Sequence, residues 1–194
     1  MIIGITGISG SGKTTLLRLI SQLGGTVLDC DAIYHQLLQS DTQLLSAIED
    51  RFSGTVQKGT LNRKALGNLV FSDERALADL NRITHSAVRE KVLSLLSPRP
   101  ALGAIDAIGL FEGGLAELCD TTVAVTAPEE ARIQRLMARE GIDRSYAQKR
   151  IRAQKPDSWF REMCEHTLEN NGTPEQFHEK CLAFLQGLGI MDLS

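Results

Sequence analysis

The chain has 194 residues and a formal net charge of −3, with 42% hydrophobic and 23% charged residues. This balance is that of an ordinary globular domain with a sizeable core, and the negative net charge argues against a protein that coats nucleic acid. The sequence holds no apolar run long enough to span a bilayer, and strand-like residues stand where a secretory leader would lie. Its four cysteines include no C-x-x-C pair, which predicts reduced thiols in a cytoplasmic protein: Cys30, Cys119, Cys164 and Cys181. We therefore expect small-molecule partners, and neither a nucleic acid nor a membrane.

Strand-like and helix-like segments alternate along the chain, which predicts an α/β fold with a mostly parallel sheet. Strands are predicted at 2–6, 26–29, 102–108 and 121–126, with a fifth at 165–169 that only Thr167 and Leu168 support. Helices are predicted at 13–22, 31–39, 42–51, 62–71, 74–96, 128–140, 144–162 and 174–187.

Residues 7–14 follow the pattern G-x-x-x-x-G-K-[ST] between the first predicted strand and the first predicted helix. Glycines in such a loop let backbone N–H groups surround a phosphate, and the helix N-terminus adds partial positive charge. Lys13 is placed to reach the outer phosphates of a nucleoside triphosphate, and Thr14 to hold Mg²⁺ through its hydroxyl. The alternative is a Gly/Ser-rich turn without a ligand. We predict that ATP is bound by Gly10, Ser11, Gly12, Lys13, Thr14 and Thr15.

Acidic residues stand at the ends of two predicted strands, at the edge where open α/β sheets bind ligands. Strand alternation places Asp29 and Asp31 on the same side. A carboxylate there can accept the proton of an acceptor hydroxyl or order water on magnesium, whereas the alternative is that Asp31 only caps the next helix. Asp106 follows the apolar run 102–105, which predicts that Lys13, Thr14 or a magnesium ion reached through water lies close to it. An ordinary polar residue at a strand end is the alternative for Asp106.

About seventy residues between the second and third predicted strands carry no strand pattern, which is too many for a simple crossover. We interpret residues 42–96 as a helical insertion that binds the acceptor, while a longer helical crossover without a ligand role is the alternative. The predicted single domain then divides into a core of about 1–40, 100–138 and 164–194, an acceptor subdomain of about 41–99 and a lid of about 139–163.

Residues 132–161 carry nine basic and three acidic side chains, a net charge of +6 in a chain whose total is −3. Arg132, Arg135 and Arg139 recur at helical spacing and share one face. Because clustered arginines stabilise phosphoryl charge, we expect at least one of them to contact phosphate. The alternative is a solvated helix face.

In order and spacing, these segments resemble the dephospho-coenzyme A kinase family over nearly the whole chain. The similarity is carried by Gly7 to Thr15, Leu28 to Ile33, Gly59 to Arg63, Leu66 and Gly67, Val70 and Phe71, Leu80 to His85, Asp106 to Glu112, Arg135 to Arg139, Arg150 to Gln154, and Asn170 to Gly172. The chain departs from the family pattern at Asn62, Ser86, Ile108, Gly109 and Arg132. These departures bear on the shape of the acceptor pocket more than on the class of reaction.

The resemblance implies transfer of the γ-phosphate of ATP, with Mg²⁺, to the ribose 3′-hydroxyl of dephospho-coenzyme A, the final step of coenzyme A synthesis. It implies that Asp31 is the general base, that Arg139 contacts a substrate phosphate and that Asn170 lies beside adenine. It further implies acceptor contacts at Arg63, Asn81 and His85, although a core or hydrogen-bonding histidine between helices is slightly favoured for His85. The implied fold is a three-layer P-loop NTPase fold with a five-stranded parallel sheet, a helical acceptor-binding insertion and a helical lid.

Two other functions fit the same phosphate loop. A nucleoside or nucleotide kinase is the first, because its loop has the same pattern. A nucleotide switch or transport ATPase is the second, but neither an N-K-x-D nor an L-S-G-G-Q motif occurs in the sequence. The expected assembly is a monomer or a small homo-oligomer.

Overall fold

A computed structural model describes residues 1–70 and 73–190. In this part of the chain the strands are β1 (Ile2–Thr6), β2 (Thr26–Asp29), β3 (Val56–Gln57), β4 (Thr60–Leu61), β5 (Gly103–Asp106), β6 (Thr121–Thr126) and β7 (His166–Glu169). The α-helices are α1 (Lys13–Gln22), α2 (Cys30–Ser40), α3 (Thr42–Arg51), α4 (Arg63–Val70), α5 (Glu74–Leu95), α6 (Glu129–Glu140), α7 (Arg144–Arg152), α8 (Asp157–Met163) and α9 (Pro174–Gly187). None of the helices described is long and apolar enough to cross a membrane.

The main sheet has the strand order β2-β5-β1-β6-β7, and every neighbouring pair is parallel. Its central strands are short apolar runs buried on both faces, as expected for a parallel sheet that helices cover on both sides. Because the strands run in one direction, the loops that follow β1, β2 and β5 leave the sheet at the same edge. That edge is where the predicted phosphate loop and the predicted acids meet.

Alternation along β1 divides the core into two layers of contacts. Ile3 and Ile5 pack with α1 and α9, including Phe177, whereas Ile2 and Ile105 pack on the opposite face with α2 to α5. A third cluster joins β6 to α6, α7 and α8 around Ala124, Ile133, Leu136, Ile151 and Phe160. The three-layer P-loop fold with a five-stranded parallel sheet is therefore confirmed.

The structure corrects the predicted elements at two places. A two-stranded antiparallel sheet, β3 and β4, lies inside the segment predicted to be purely helical, and its turn uses positive φ angles at Lys58 and Gly59. The single helix predicted at 144–162 is two helices, because Pro156, which has no N–H donor, forms the N-cap of α8. The predicted helix end at residue 71, the family-like Phe71 and the last four residues of the predicted core lie outside the described residues.

Candidate active site

The phosphate loop joins the end of β1 to the first residue of α1. Gly7, Gly10 and Gly12 have φ angles of +134°, +83° and +105°, a backbone region that residues other than glycine rarely adopt. A Cβ atom on Gly7 would lie 2.2 Å from the Val125 carbonyl oxygen, and one on Gly10 would lie 2.8 Å from that of Arg132. The glycines are thus required both for the turn and for close packing of the loop against β6 and α6.

Side chains from distant parts of the chain hold this loop in place. The Asn170 amide donates to the Ser11 carbonyl oxygen at 2.8 Å, and Arg135 Nη1 donates to the carbonyl oxygens of Gly10 and Ser11 at 3.1 and 3.2 Å. Lys13 Nζ donates to the Gly7 carbonyl oxygen at 3.0 Å. These bonds engage the carbonyl oxygens of Gly7, Gly10 and Ser11 and so fix the course of the loop.

Gln154 makes a further pair of contacts to the loop that the sequence analysis did not predict. Its Oε1 accepts a hydrogen bond from the Ser9 backbone N–H at 2.9 Å, and its Nε2 donates to Ser9 Oγ at 2.8 Å. The two residues are 145 positions apart, so no local pattern could have revealed the pairing. The segment between α7 and α8 is therefore docked directly on the phosphate loop.

A cleft of about 370 Å³ lies in front of the loop. It brings together most of the predicted donor-site residues and adds six that were not assigned to the site, namely Ser9, Asp29, Ala107, Ile108, Arg135 and Arg150. The rest of its lining is Gly10, Gly12, Lys13, Thr14, Asp31, Asp106 and Arg139. The remaining predicted ATP-binding residues do not line this cleft: Ser11 is buried within the loop, Asn170 is buried against it, and Thr15 is half-buried in the first turn of α1. Their predicted contacts with ATP stay predictions.

The two acids at the end of β2 have different structural roles. Asp29, not Asp31, is the N-cap of α2, since its Oδ1 accepts the Ala32 backbone N–H at 3.0 Å. The alternative that Asp31 merely caps the helix is therefore wrong, because α2 begins one residue earlier than predicted. Asp31 lies in the first helical turn, so strand alternation does not explain its direction. The exposed Asp31 carboxylate nevertheless lines the same cleft as Asp29.

Asp106 ends β5 in register with Asp29 on β2 and Ile5 on β1. Its Oδ1 lies 4.0 Å from Lys13 Nζ, so the partner predicted for this strand-end acid is present. Burial raises the pKa of Asp106 to about 6; Lys13 opposes that rise, whereas the charges of Asp29 and Asp31 add to it. The Asp106 side chain is only 19% exposed, so its charge is held in a poorly solvated position at the cleft floor.

The predicted acceptor residues border two further hollows. Asn81 and His85 on α5 line a cavity of about 280 Å³ that shares Asp31 with the donor cleft. Arg63 lines a neighbouring groove of about 290 Å³, which touches that cavity at Tyr34 and Asn81. The structure therefore brings Asn81 and His85 to the same cavity as Asp31, whereas Arg63 lies one hollow farther away.

The basic segment divides into residues with different surroundings. Arg132 is buried and binds both carboxylate oxygens of Asp157 at 2.8 Å, which ties α6 to α8. Arg139 and Arg150 line the donor cleft and both bind Glu140. Arg144, paired with the exposed Glu130, and Arg161, paired with Glu169, lie outside the cleft. The solvated-face interpretation therefore applies to part of this segment only.

Comparison with known proteins agrees with this geometry. A family model described as dephospho-CoA kinase matches residues 1–176. A dephospho-CoA kinase of Syntrophotalea carbinolica is 34% identical over an alignment of 194 residues, and the alignment covers 97% of this chain and 92% of that protein. A crystal structure from Thermus thermophilus is similar with a TM-score of 0.79, 36% identity and 97% of each chain covered. A shikimate kinase from Acinetobacter baumannii, in complex with shikimate, shares the fold at a TM-score of 0.55 and 21% identity, with 100% of this chain and 95% of that chain covered. The chain belongs to the dephospho-CoA kinase family.

Proposed function

We propose that this protein transfers the γ-phosphate of ATP to the ribose 3′-hydroxyl of dephospho-coenzyme A, the final step of coenzyme A synthesis. The observation that carries the proposal is the position of Asp31. This carboxylate borders both the cleft in front of the phosphate loop and the cavity beside α5. A hydroxyl group presented from the second cavity would therefore meet a phosphoryl group presented from the first, with Asp31 between them.

The donor side is built for a triphosphate. The loop N–H groups and the α1 N-terminus cradle the inner phosphates, and Lys13 Nζ, which lies at the cleft, neutralises charge on the outer ones. Arg135, Arg139 and Arg150 add three guanidinium groups around the same cleft. In phosphoryl transfer such charges act mainly by stabilising the equatorial oxygens of the moving group.

The residues at the cleft floor fit Mg²⁺. The Thr14 hydroxyl and the Asp106 carboxylate line the cleft together, and hard oxygen donors are the ligands that Mg²⁺ prefers. Thr14 would hold the ion directly, and Asp106 would hold it through water. When bound, Mg²⁺ supplies charge that draws electrons from the phosphate oxygens.

Asp31 is the proposed general base. Since Asp29 is engaged in capping α2, Asp31 is the acid after β2 that is left to accept the proton of the acceptor hydroxyl. Asn81 and His85 are the proposed acceptor contacts in the adjoining cavity, and Arg63 is proposed to bind a more distant anionic group of the same acceptor. This arrangement supports residues 41–99 as the acceptor subdomain and residues 139–163 as the lid. The four free thiols support a reducing compartment such as the cytoplasm.

The direct test is an acceptor panel. Purified protein is incubated with ATP and Mg²⁺ together with dephospho-coenzyme A, adenosine, uridine or AMP, and mass spectrometry detects the phosphorylated product. We expect a product from dephospho-coenzyme A that carries phosphate on the 3′ oxygen, and none from the Lys13→Ala variant. Phosphorylation of a nucleoside or nucleotide without phosphorylation of dephospho-coenzyme A would instead support a nucleoside or nucleotide kinase.

A further inference from the structure

Three arginines line the donor cleft, and they differ in what holds them. Arg135 donates to the carbonyl oxygens of the phosphate loop. Arg139 and Arg150 share one carboxylate instead: Arg139 Nη2 donates to Glu140 Oε1 at 2.6 Å, and Arg150 Nη1 donates to Glu140 Oε2. Each oxygen of Glu140 thus binds one of the two guanidinium groups.

This sharing fixes where the two guanidinium groups lie. Arg139 is in the last turn of α6 and Arg150 is in the last turn of α7, so the two charges come from different helices. Two guanidinium groups bound to one carboxylate must lie side by side, and their mutual repulsion is offset by the negative charge between them. Each guanidinium group has five N–H donors, so the bond to Glu140 leaves donors for phosphate oxygens.

We infer that Glu140 is a positioning residue, which holds Arg139 and Arg150 together as a pair at the cleft so that both bind the outermost phosphate of the donor. The inference rests on the proposed function for the identity of the reaction. Glu140 itself does not line the cleft; it acts through the two arginines that do.

A second ion pair between the same two helices provides a matched control. Glu130 near the start of α6 binds Arg144 at the start of α7 with two hydrogen bonds of 2.8 and 2.6 Å. Like Glu140, it joins α6 to α7 at an exposed position, but neither Glu130 nor Arg144 lines the donor cleft. A role that only fastened the two helices together would be shared by both glutamates.

The experiment compares Glu140→Gln with Glu130→Gln, since glutamine keeps the side-chain size and removes the charge. Calorimetry measures the affinities for ATP and for ADP with Mg²⁺, and a product assay measures transfer to dephospho-coenzyme A. For Glu140→Gln we expect about fivefold weaker ATP binding, unchanged ADP binding and about tenfold slower transfer at saturating ATP. Glu130→Gln should stay within about twofold of the wild type in all three. Glu140→Asp, which restores the charge, should recover part of the lost ATP affinity.

A double-mutant comparison separates action through the arginines from any other effect. In an Arg139→Ala, Arg150→Ala background, Glu140→Gln should change ATP affinity no further. The inference is overturned if Glu140→Gln still weakens ATP binding in that background, if ADP binding falls equally, or if the Glu130 and Glu140 variants behave alike. The affinities for ATP and ADP test the positioning role of Glu140 independently of the acceptor. Absence of product from the wild-type protein would count against the proposed function alone.

Discussion

The phosphate loop and the proposed acceptor cavity beside α5 are built in opposite ways. Ser9 and Ser11 of the loop are buried, and their backbone groups bind Gln154, Arg135 and Asn170 from three distant segments. On the acceptor side, the groups proposed to bind the substrate are exposed, like Arg63 and Asn81, or half-buried, like His85.

The difference indicates where each half of the site obtains its order. The loop is arranged in advance by the protein, so a donor phosphate meets groups that need little rearrangement. The acceptor residues are solvated, and the bound substrate must supply much of their order. We therefore expect changes at the loop to lower the rate of transfer, and changes on the acceptor side to act more on KM.

The largest effect should come from Lys13. Lys13→Ala removes the ammonium group that offsets charge on the outer phosphates, and we expect turnover to fall by at least about 10³-fold with the fold intact. Turnover and circular dichroism are measured together. Lys180→Ala is the control, because Lys180 Nζ also donates to a backbone carbonyl oxygen, that of Glu169 at 2.9 Å, but lies outside the cleft. Near-normal turnover of the Lys13 variant would remove Lys13 from the mechanism.

Asp31 marks the boundary between the two halves of the site. If it accepts the acceptor proton, Asp31→Asn should lower the chemical rate by about 10²–10⁴-fold with little change in ATP affinity. Asp29→Asn is the matched control, since asparagine caps a helix about as well as aspartate and Asp29 lines the same cleft. A larger loss in the Asp29 variant would assign the base to Asp29. Loss of ATP binding without loss of rate at saturating ATP would limit Asp31 to the metal site.

The parts of the molecule that local patterns determine could be predicted from the sequence. Four strands of the main sheet, the loop and the acids at the ends of β2 and β5 follow from apolar runs, glycines and their spacing, whereas the prediction of β7 rested on Thr167 and Leu168 alone. The hairpin of β3 and β4 was missed because two-residue strands are too short to show alternation. Pro156 lies inside the segment 144–162 that was predicted to be one helix, and a proline there does indicate the break between α7 and α8.

The contacts that order the site could not be predicted in this way. Gln154 on Ser9, Arg135 on Gly10 and Asn170 on Ser11 join residues that are 145, 125 and 159 positions apart. Only the folded sheet brings these segments together, and a glutamine or arginine has the same local sequence pattern whether or not its side chain reaches the loop. The motif thus predicted where the glycine-rich loop lies between β1 and α1, whereas the side chains that support the loop required the structure.

The Arg139→Ala variant tests how much the arginine side chains that line the donor cleft contribute to transfer, compared with the phosphate loop. Arg139→Ala should lower transfer by about 10²-fold, because a charge needed at the transition state is missing. We also expect residues 139–161 to exchange amide hydrogens more slowly when ATP and dephospho-coenzyme A are both bound, since a closing lid excludes water. Hydrogen exchange with and without both ligands measures this. Equal exchange together with a nearly unaffected Arg139→Ala enzyme would reduce the segment to a charged helix face.

The Asp106→Asn variant tests the cleft floor through the pH dependence of the free energy of unfolding. Burial raises the pKa of Asp106 from 3.8 to about 6, so the folded protein holds this proton more tightly than the unfolded chain does. The contribution of the Asp106 carboxyl to the free energy of unfolding is therefore fully present below about pH 4 and is lost as the pH rises through 6. In the absence of ligands, Asp106→Asn should be more stable than the wild type by about 2–3 kcal/mol at pH 8, and by less than about 1 kcal/mol at pH 4.

Denaturant unfolding at the two pH values measures this difference. Asp120 supplies a control of opposite sign, because a hydrogen bond from the Ile2 backbone N–H and another from Arg99 lower its pKa. Asp120→Asn should therefore be less stable than the wild type at pH 8, with a smaller deficit at low pH. A stability gain of Asp106→Asn that is equal at pH 4 and pH 8 would contradict a buried charge at the cleft floor.

The smallest effect should come from Arg161, which carries the same guanidinium group as Arg139 but lies outside the donor cleft. The two side chains are 43% and 57% exposed, and each is paired with one glutamate. Arg161 lines a separate hollow with Thr126 and Asn171, outside the donor cleft, and exposed ion pairs contribute little because solvent screens them. Arg161→Ala should therefore keep turnover at saturating ATP within about threefold of the wild type. A loss as large as that of Arg139→Ala would mean that the hollow beside β6 and β7 takes part in transfer, and that charge in front of the phosphate loop is not what distinguishes the two arginines.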